Sequence, residues 1–320
     1  MSEFDLIRTH FARIGAPRED IVLGVGDDCA LLRVPRGQEL ALSIDTLVAG
    51  VHFLADVDPG SLGYKCLAVG LSDLAAMGAQ PAWATLALTL PAEDEAWLRA
   101  FAAGFSELAL AHGLTLVGGD TTHGPLAISV QVHGLVPAGQ GIRRSGARTG
   151  DQVWVSGTLG DAGLALRRLL AAEPLSPWLR GRLERPTPRV ALGMALRGLA
   201  SSMIDISDGL AADLGHILEE SGVAAEIRVG DLPLSEAVRQ QLVLDADWTL
   251  PLASGDDYEL CFTSAPARGG DLVVLADSLG IALTPIGRIQ AGGGLSCLAP
   301  DGRRWIPRYG GYDHFPEAHD

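Results

Sequence analysis

The chain of 320 residues holds one lysine, Lys65, among its 24 basic residues. Lys65 follows no glycine-rich loop, so neither a Walker A loop nor the strand lysine of a protein kinase is written here. Any phosphate charge has to be met by arginine or by metal. Cysteines are as scarce: Cys29, Cys66, Cys261 and Cys297 show no CxxC spacing. That argues against a zinc site and a disulfide framework, and for reduced thiols. Basic charge is short overall, and the net charge of −15 is spread over both halves of the chain. Such a balance argues against binding the phosphates of nucleic acid. No apolar run approaches the roughly 18 residues that span a bilayer. The start, Met1-Ser2-Glu3-Phe4-Asp5, lacks the basic and apolar regions of a signal peptide. A cytoplasmic protein that engages neither membrane nor nucleic acid is expected.

What the chain does have is aspartate after apolar runs, beside glycine. There are 40 glycines, well above a usual share of roughly 7%. Asp27 and Asp28 follow Ile21–Gly26, Asp45 follows Leu40–Ile44, and Asp120 follows Leu114–Gly119. Asp205 and Asp208 lie in Ile204-Asp205-Ile206-Ser207-Asp208-Gly209, Asp256-Asp257 follow Ser254-Gly255, and Asp73 falls in a helical stretch. Strand ends that converge would crowd these carboxylates together, which needs a neutralising cation. Mg²⁺ takes oxygen ligands and bridges carboxylates to phosphates, so a Mg-nucleotide enzyme is the leading reading.

The pattern predicts a mixed α/β protein of two domains, with α+β mixed sheets, divided at 1–139 and 140–320. In the first, a helix is expected at 3–15, strands at 21–25, 40–44 and 50–54, a helix at 61–78, a strand at 83–90, a helix at 97–112, and strands at 114–118 and 127–136. The second opens on a strand at 152–155 and a glycine loop, Gly157/Gly160/Gly163. Helices from Leu164 and at 188–201 and 209–221 follow, with strands at 224–228, 260–263, 271–275 and 283–288.

Each motif also has a plainer reading. A lone Gly-Asp turn is usually only a turn, because Asp bonds its own backbone; five such sites, and doublets such as Asp256-Asp257, weaken that. Ser207 or Asp208 could be a helix N-cap, or the same turn could set backbone N–H groups beside a metal–phosphate complex. Both readings stay open at this point. The 157–163 loop is weak evidence for a phosphate cradle. Arg143-Arg144 could meet phosphate or be a solvated linker pair. His52 is locally an ordinary histidine. Aromatics in Gly311-Tyr312-Asp313-His314-Phe315 could cover a planar ligand.

Taken together, Gly24–Ala30, Ser43–Val48, Leu71–Ala79, Gly118–Thr122, Asp205–Leu210, Ser254–Leu260 and Gly311–Phe315 resemble the thiamine-monophosphate kinases. That family lies within the superfamily typified by aminoimidazole ribonucleotide synthetase. The resemblance implies that superfamily's two-domain fold and direct in-line transfer of the ATP γ-phosphoryl group onto thiamine monophosphate. It implies several Mg²⁺ ions at Asp28, Ser43, Asp45, Asp73, Asp120, Asp205 and Asp208, with Ile44 contributing its carbonyl. Gly119, Asp120, Arg144 and Ser207 match nucleotide contacts, and His52, Asp256 and Tyr312 match substrate contacts. Asp45, Asp120, Asp208 and Arg144 would carry the catalysis. A homodimer is implied, its N-terminal sheets meeting across a two-fold axis. Among relatives, a selenophosphate synthetase would show a reactive Cys or selenocysteine and a lysine before Lys65. A hydrogenase-maturation protein would end in a reactive cysteine. Purine-pathway ligases are the nearest alternative enzymes, and a metal-dependent binding protein is the alternative outside enzymes.

Overall fold

The computed structural model describes residues 3–299 and 301–305. The chain divides into two compact units, Met1–Gly141 and Ile142–Asp320. The first unit runs α1 (Glu3–His10), β1 (Ile21–Leu23), β2 (Leu31–Leu32), β3 (Gln38–Val48), α2 (Pro59–Ala76), β4 (Gln80–Leu90), α3 (Glu95–Ala111), β5 (Thr115–His123) and β6 (Ala127–Pro137). Four strands form one sheet in the order β3-β6-β4-β5, with only β4·β5 parallel. The parallel pair is joined by α3, the crossover that parallel neighbours require.

Helix α2 starts where Asp58 accepts the Ser61 N–H at 2.7 Å and Pro59 pre-sets the first turn. Its apolar residues Leu62, Leu67, Leu71 and Leu74 are buried against β3, β6 and α3. The two helices touch through glycine backbone. A Cβ on Gly63 would sit 2.0 Å from the Phe101 carbonyl oxygen, and one on Gly104 1.8 Å from that of Gly60. The opposite face of the sheet is covered in part by β1 and β2, which pack on Trp83 and Leu135. Along β3 it is bare: Leu40, Leu42 and Ile44 are 42%, 57% and 62% exposed.

The second unit runs β7 (Gln152–Ser156), α4 (Asp161–Leu170), α5 (Pro177–Glu184), α6 (Val190–Ala195), β8 (Ser202–Asp205), α7 (Leu210–Ser221), β9 (Ala224–Arg228), α8 (Glu236–Asp245), α9 (Thr249–Ala253), β10 (Leu260–Ser264), α10 (Gly269–Leu279), β11 (Leu283–Gln290), β12 (Gly294–Leu298) and β13 (Arg304–Trp305). Its sheet has the order β13-β12-β9-β11-β7-β10-β8, with β12·β9 parallel and the other pairs antiparallel. The fold is thus mixed α/β with mixed sheets, as expected.

Several local expectations change. The strands expected at 40–44 and 50–54 are one long strand, β3, followed by a turn. Asp45 and Asp120 therefore lie inside β3 and β5 rather than in turns after them. Residues 271–275, expected as a strand, belong to helix α10. There only Leu272 is buried, while Val273 and Val274 are 55% and 69% exposed. A short apolar run cannot choose between strand and helix by itself; here Gly280, at φ 62, caps a helix.

Candidate active site

In the first unit, Asp45 points to the α2 side of the sheet. A Cβ on Gly70 of α2 would lie 3.6 Å from Asp45 Oδ2, and that oxygen is buried with no hydrogen-bond partner. Asp73 of α2 stands against it and accepts the Ser43 hydroxyl at 2.5 Å. Burial first, and then the Asp73 carboxylate, push the Asp45 carboxyl from an ordinary 3.8 to about 7. Two carboxylates forced together over an apolar helix, one with an orphaned oxygen, fit a hard divalent cation. Among the described residues no three His, Cys, Asp or Glu side chains are gathered to hold a metal by themselves. The remaining positions would fall to water and phosphate oxygens, the sharing that Mg²⁺ prefers.

The other expected residues of this unit are spread out. Asp28 is exposed on the β1–β2 loop, its N–H bonded to Asp27 Oδ1 at 2.9 Å. Ile44 faces away from α2. His52 sits in the turn after β3, where its Nδ1 accepts the Val48 N–H at 3.0 Å; its ring proton is then on Nε2. Gly119 is squeezed against β4, a Cβ there meeting the Leu86 carbonyl oxygen at 1.9 Å.

Asp120 is exposed on β5, and the register sets it in one row with Ala87, Ser129 and Thr46. Asp45 shares its row with Val130, Leu86 and Gly119, on the other face. Asp120 and Asp45 thus occupy opposite faces and opposite edges, three strand spacings or about 14 Å apart. One copy of this sheet does not bring them together.

In the second unit, β8 ends at Asp205, 4% exposed, and the turn Ile206–Gly209 leads into α7. The turn is tied to Gly255–Glu259 by Asp256 N–H to Ser207 O at 2.9 Å, Tyr258 N–H to Ile206 O at 2.8 Å and Ile206 N–H to Glu259 O at 2.8 Å. The segments that carry Asp205, Ser207, Asp208 and Asp256 are brought together in this way, by backbone bonds. Composition and spacing did not single out Asp213. Its buried Oδ2 accepts the N–H groups of Ser207, Asp208 and Gly209, each at 3.1 Å. Burial first, and then the Asp208 charge, raise its carboxyl to about 7. The spacing of Asp213 four residues into α7 from Gly209 was the available signal.

The geometry matches neither reading of the turn as first stated. Its backbone donors are spent on Asp213, so they form no anion cradle, and neither Ser207 nor Asp208 is a side-chain cap. Arg144 is exposed, with its carbonyl accepting the Ser221 hydroxyl at 3.3 Å.

Two further motifs take structural parts here. Three N–H groups of the 157–163 loop are bonded to other segments: Gly157 to Ala282 O, Leu159 to Pro233 O, and Gly160 to Asp257 Oδ2 at 2.8 Å. Those three N–H groups face protein acceptors rather than a phosphate. The Asp256-Asp257 doublet also splits. Asp257 is 1% exposed and caps that loop, with burial, and then Asp161 and Glu259, raising its carboxyl to about 8. Beneath it Glu259 is fully buried, gripped by Arg189 through Nε at 2.7 Å and Nη2 at 2.5 Å, and by the Ser156 hydroxyl at 2.6 Å. Tyr312 lies outside the described residues.

The sequence matches the family models of AIR synthase related protein, its N-terminal domain over residues 26–136 and its C-terminal domain over residues 148–299. It is 49% identical over 318 residues to the thiamine-monophosphate kinase of Escherichia coli (strain K12), covering 98% of each chain. To that of Bacillus subtilis (strain 168) it is 33% identical over 329 residues, covering 98% of this chain and 100% of the relative. The crystal structure of thiamine-monophosphate kinase from Stenotrophomonas maltophilia K279a superposes with a TM-score of 0.85 at 48% identity, covering 94% of this chain and 96% of that one. AaThiL complexed with AMPPCP and TMP superposes with a TM-score of 0.78 at 34% identity, covering 91% and 92%. With near-full coverage at such identity, and with Asp45, Asp73, Asp205 and Asp208 set as described, the chain belongs to the thiamine-monophosphate kinase family.

Proposed function

We propose that this protein transfers the γ-phosphoryl group of ATP directly onto the phosphate of thiamine monophosphate, giving thiamine diphosphate and ADP. The observation that carries this reading is the Asp45–Asp73 pair, whose buried, unpartnered oxygen asks for a hard cation. Its weight comes from a chain that shares about half its residues with thiamine-monophosphate kinases and a third with a relative complexed with AMPPCP and TMP.

Asp28, Ser43, the Ile44 carbonyl, Asp45, Asp73, Asp120, Asp205 and Asp208 are the proposed Mg²⁺ positions. Bound Mg²⁺ would screen the charge of the two phosphate groups and of the phosphoryl in flight. Gly119, Arg144 and Ser207 are the proposed nucleotide contacts. The acceptor phosphate is already ionised near neutrality, with a second pKa of about 6, so the protein has no proton to remove. Its work is to hold donor and acceptor in line and to exclude water that would divert the phosphoryl group to hydrolysis. His52, Asp256 and Tyr312 are proposed to bind the acceptor, with the Asp256 carboxylate opposite its cationic ring.

The working unit is proposed to be a homodimer in the cytoplasm. The bare stripe Leu40, Leu42 and Ile44 supports burial against another copy. Among the described residues no helix is long and apolar enough to cross a membrane.

A phosphorus NMR time course with ATP, Mg²⁺ and thiamine monophosphate tests the reading. A new diphosphate ester appearing with ADP only when all components are present supports it. ADP with free phosphate, or no turnover, refutes it.

A further inference from the structure

The turn that carries Asp256 is strained. Among the described residues four non-glycine residues have positive φ, and two of them are Asp256, at +68°, and Tyr258, at +49°. A left-handed tyrosine is unfavourable because its Cβ crowds the following carbonyl. Strain of this kind survives only where surrounding contacts over-determine it, and it gathers at sites that bind ligands.

The contacts that impose it are specific. The backbone of the turn is stitched to Ile206 and Ser207 by the bonds given above. Below it, Asp257 is locked to the Gly160 N–H, and Arg182 Nη2 donates to the carbonyl oxygens of Thr158, at 3.2 Å, and Asp257, at 3.3 Å. Glu259, clamped by Arg189, pins the next residue. Tyr258 is 6% exposed. Between two left-handed residues two positions apart, the Tyr258 hydroxyl reaches back and donates to Asp256 Oδ1 at 2.8 Å.

An apolar side chain would fill the same core without that bond, so packing alone gives no reason for the hydroxyl. We propose that Tyr258 is a positioning residue. Its hydroxyl fixes the Asp256 carboxylate in the orientation that meets the cationic ring of the acceptor. The turn's strain is what aims the carboxylate, and the anchors beneath it are what hold the strain. The proposal rests on the phosphotransfer reading given above.

Tyr258→Phe keeps the ring and the left-handed backbone and removes only the hydroxyl. Steady-state kinetics with ATP and thiamine monophosphate varied separately, on the full chain with Mg²⁺, give the test. The expected result is a KM for thiamine monophosphate raised about tenfold, the scale of one charge-assisted hydrogen bond. The KM for ATP and the Mg²⁺ activation curve stay where they are in the wild type. Asp256→Asn should raise the same KM, and the double variant should be no worse than the worse single one, because both remove one interaction.

An unchanged acceptor KM in Tyr258→Phe overturns the proposal. So do strictly additive effects in the double variant. A fall in kcat for both substrates together with a lowered melting temperature would make Tyr258 merely structural, and also overturns it. A wild type that consumes no ATP in response to thiamine monophosphate is a different result: it removes the phosphotransfer reading and this proposal with it.

Discussion

Replacing Asp45 by Asn should abolish transfer and, in the absence of Mg²⁺, make the folded protein more stable. The change is nearly isosteric and removes one charge from a pair. Asp45 sits where burial, and then Asp73, raise its carboxyl from 3.8 to about 7. An acid held above its ordinary value keeps its proton longer in the folded chain than in the unfolded one. Its contribution to stability is therefore intact below about pH 4 and is lost as the pH climbs to about 7. At about 1.36 kcal/mol per pH unit the full loss is about 4 kcal/mol. Asp45 is only part-buried and shares its repulsion with Asp73, so about 2 kcal/mol is the expected share, in line with screening at partly solvated sites. Asn carries no such term. In EDTA at pH 8, Asp45→Asn should melt roughly 4–8 °C above the wild type, at 2–4 °C per kcal/mol for a unit of about this size. Mg²⁺ should then raise the wild-type melting temperature more than the variant's, because only the wild type gains a ligand pair. Calorimetry in EDTA and in Mg²⁺, from pH 5 to 8, gives all four values. The reasoning is refuted if the variant is no more stable in EDTA at pH 8, or if Mg²⁺ stabilises both proteins equally.

Two further outcomes follow from the same geometry. Asp213→Ala should loosen the Ser207–Gly209 turn, costing about 2–4 kcal/mol for the bonds to a charged acceptor. It should also shift Mg²⁺ activation to higher concentration, and a Mg²⁺ titration matching the wild type would contradict this. Glu259→Gln leaves Arg189 buried without its anion, which should cost about 3–5 kcal/mol; a thermal melt within 1 kcal/mol of the wild type would show that the clamp is dispensable.

Much of the candidate site was legible because its chemistry is carried by residue type. Aspartate beside glycine, repeated along an acidic chain with one lysine, limits phosphate chemistry to metal and arginine before any fold is known. Long strongly patterned elements such as α2, α3 and β6 fell close to where they were expected. Short apolar runs were not decided locally, as 271–275 shows: helix α10 forms there because Gly280 caps it and Leu272 alone has a core to enter.

Only the tertiary structure separates acids that look alike in sequence. Asp256 and Asp257 are neighbours, yet one is held by the Tyr258 hydroxyl and the other is buried under the Gly160 N–H. Asp213 looks like an ordinary helix residue until three backbone donors are seen on one of its oxygens. Asp45 and Asp120 read alike as aspartates after apolar runs, but sheet register sets them on opposite faces and edges. The physical reason is the same in each case. Composition fixes which charges are present, whereas burial, register and backbone donors, which are set by residues distant in the chain, fix what each charge can do.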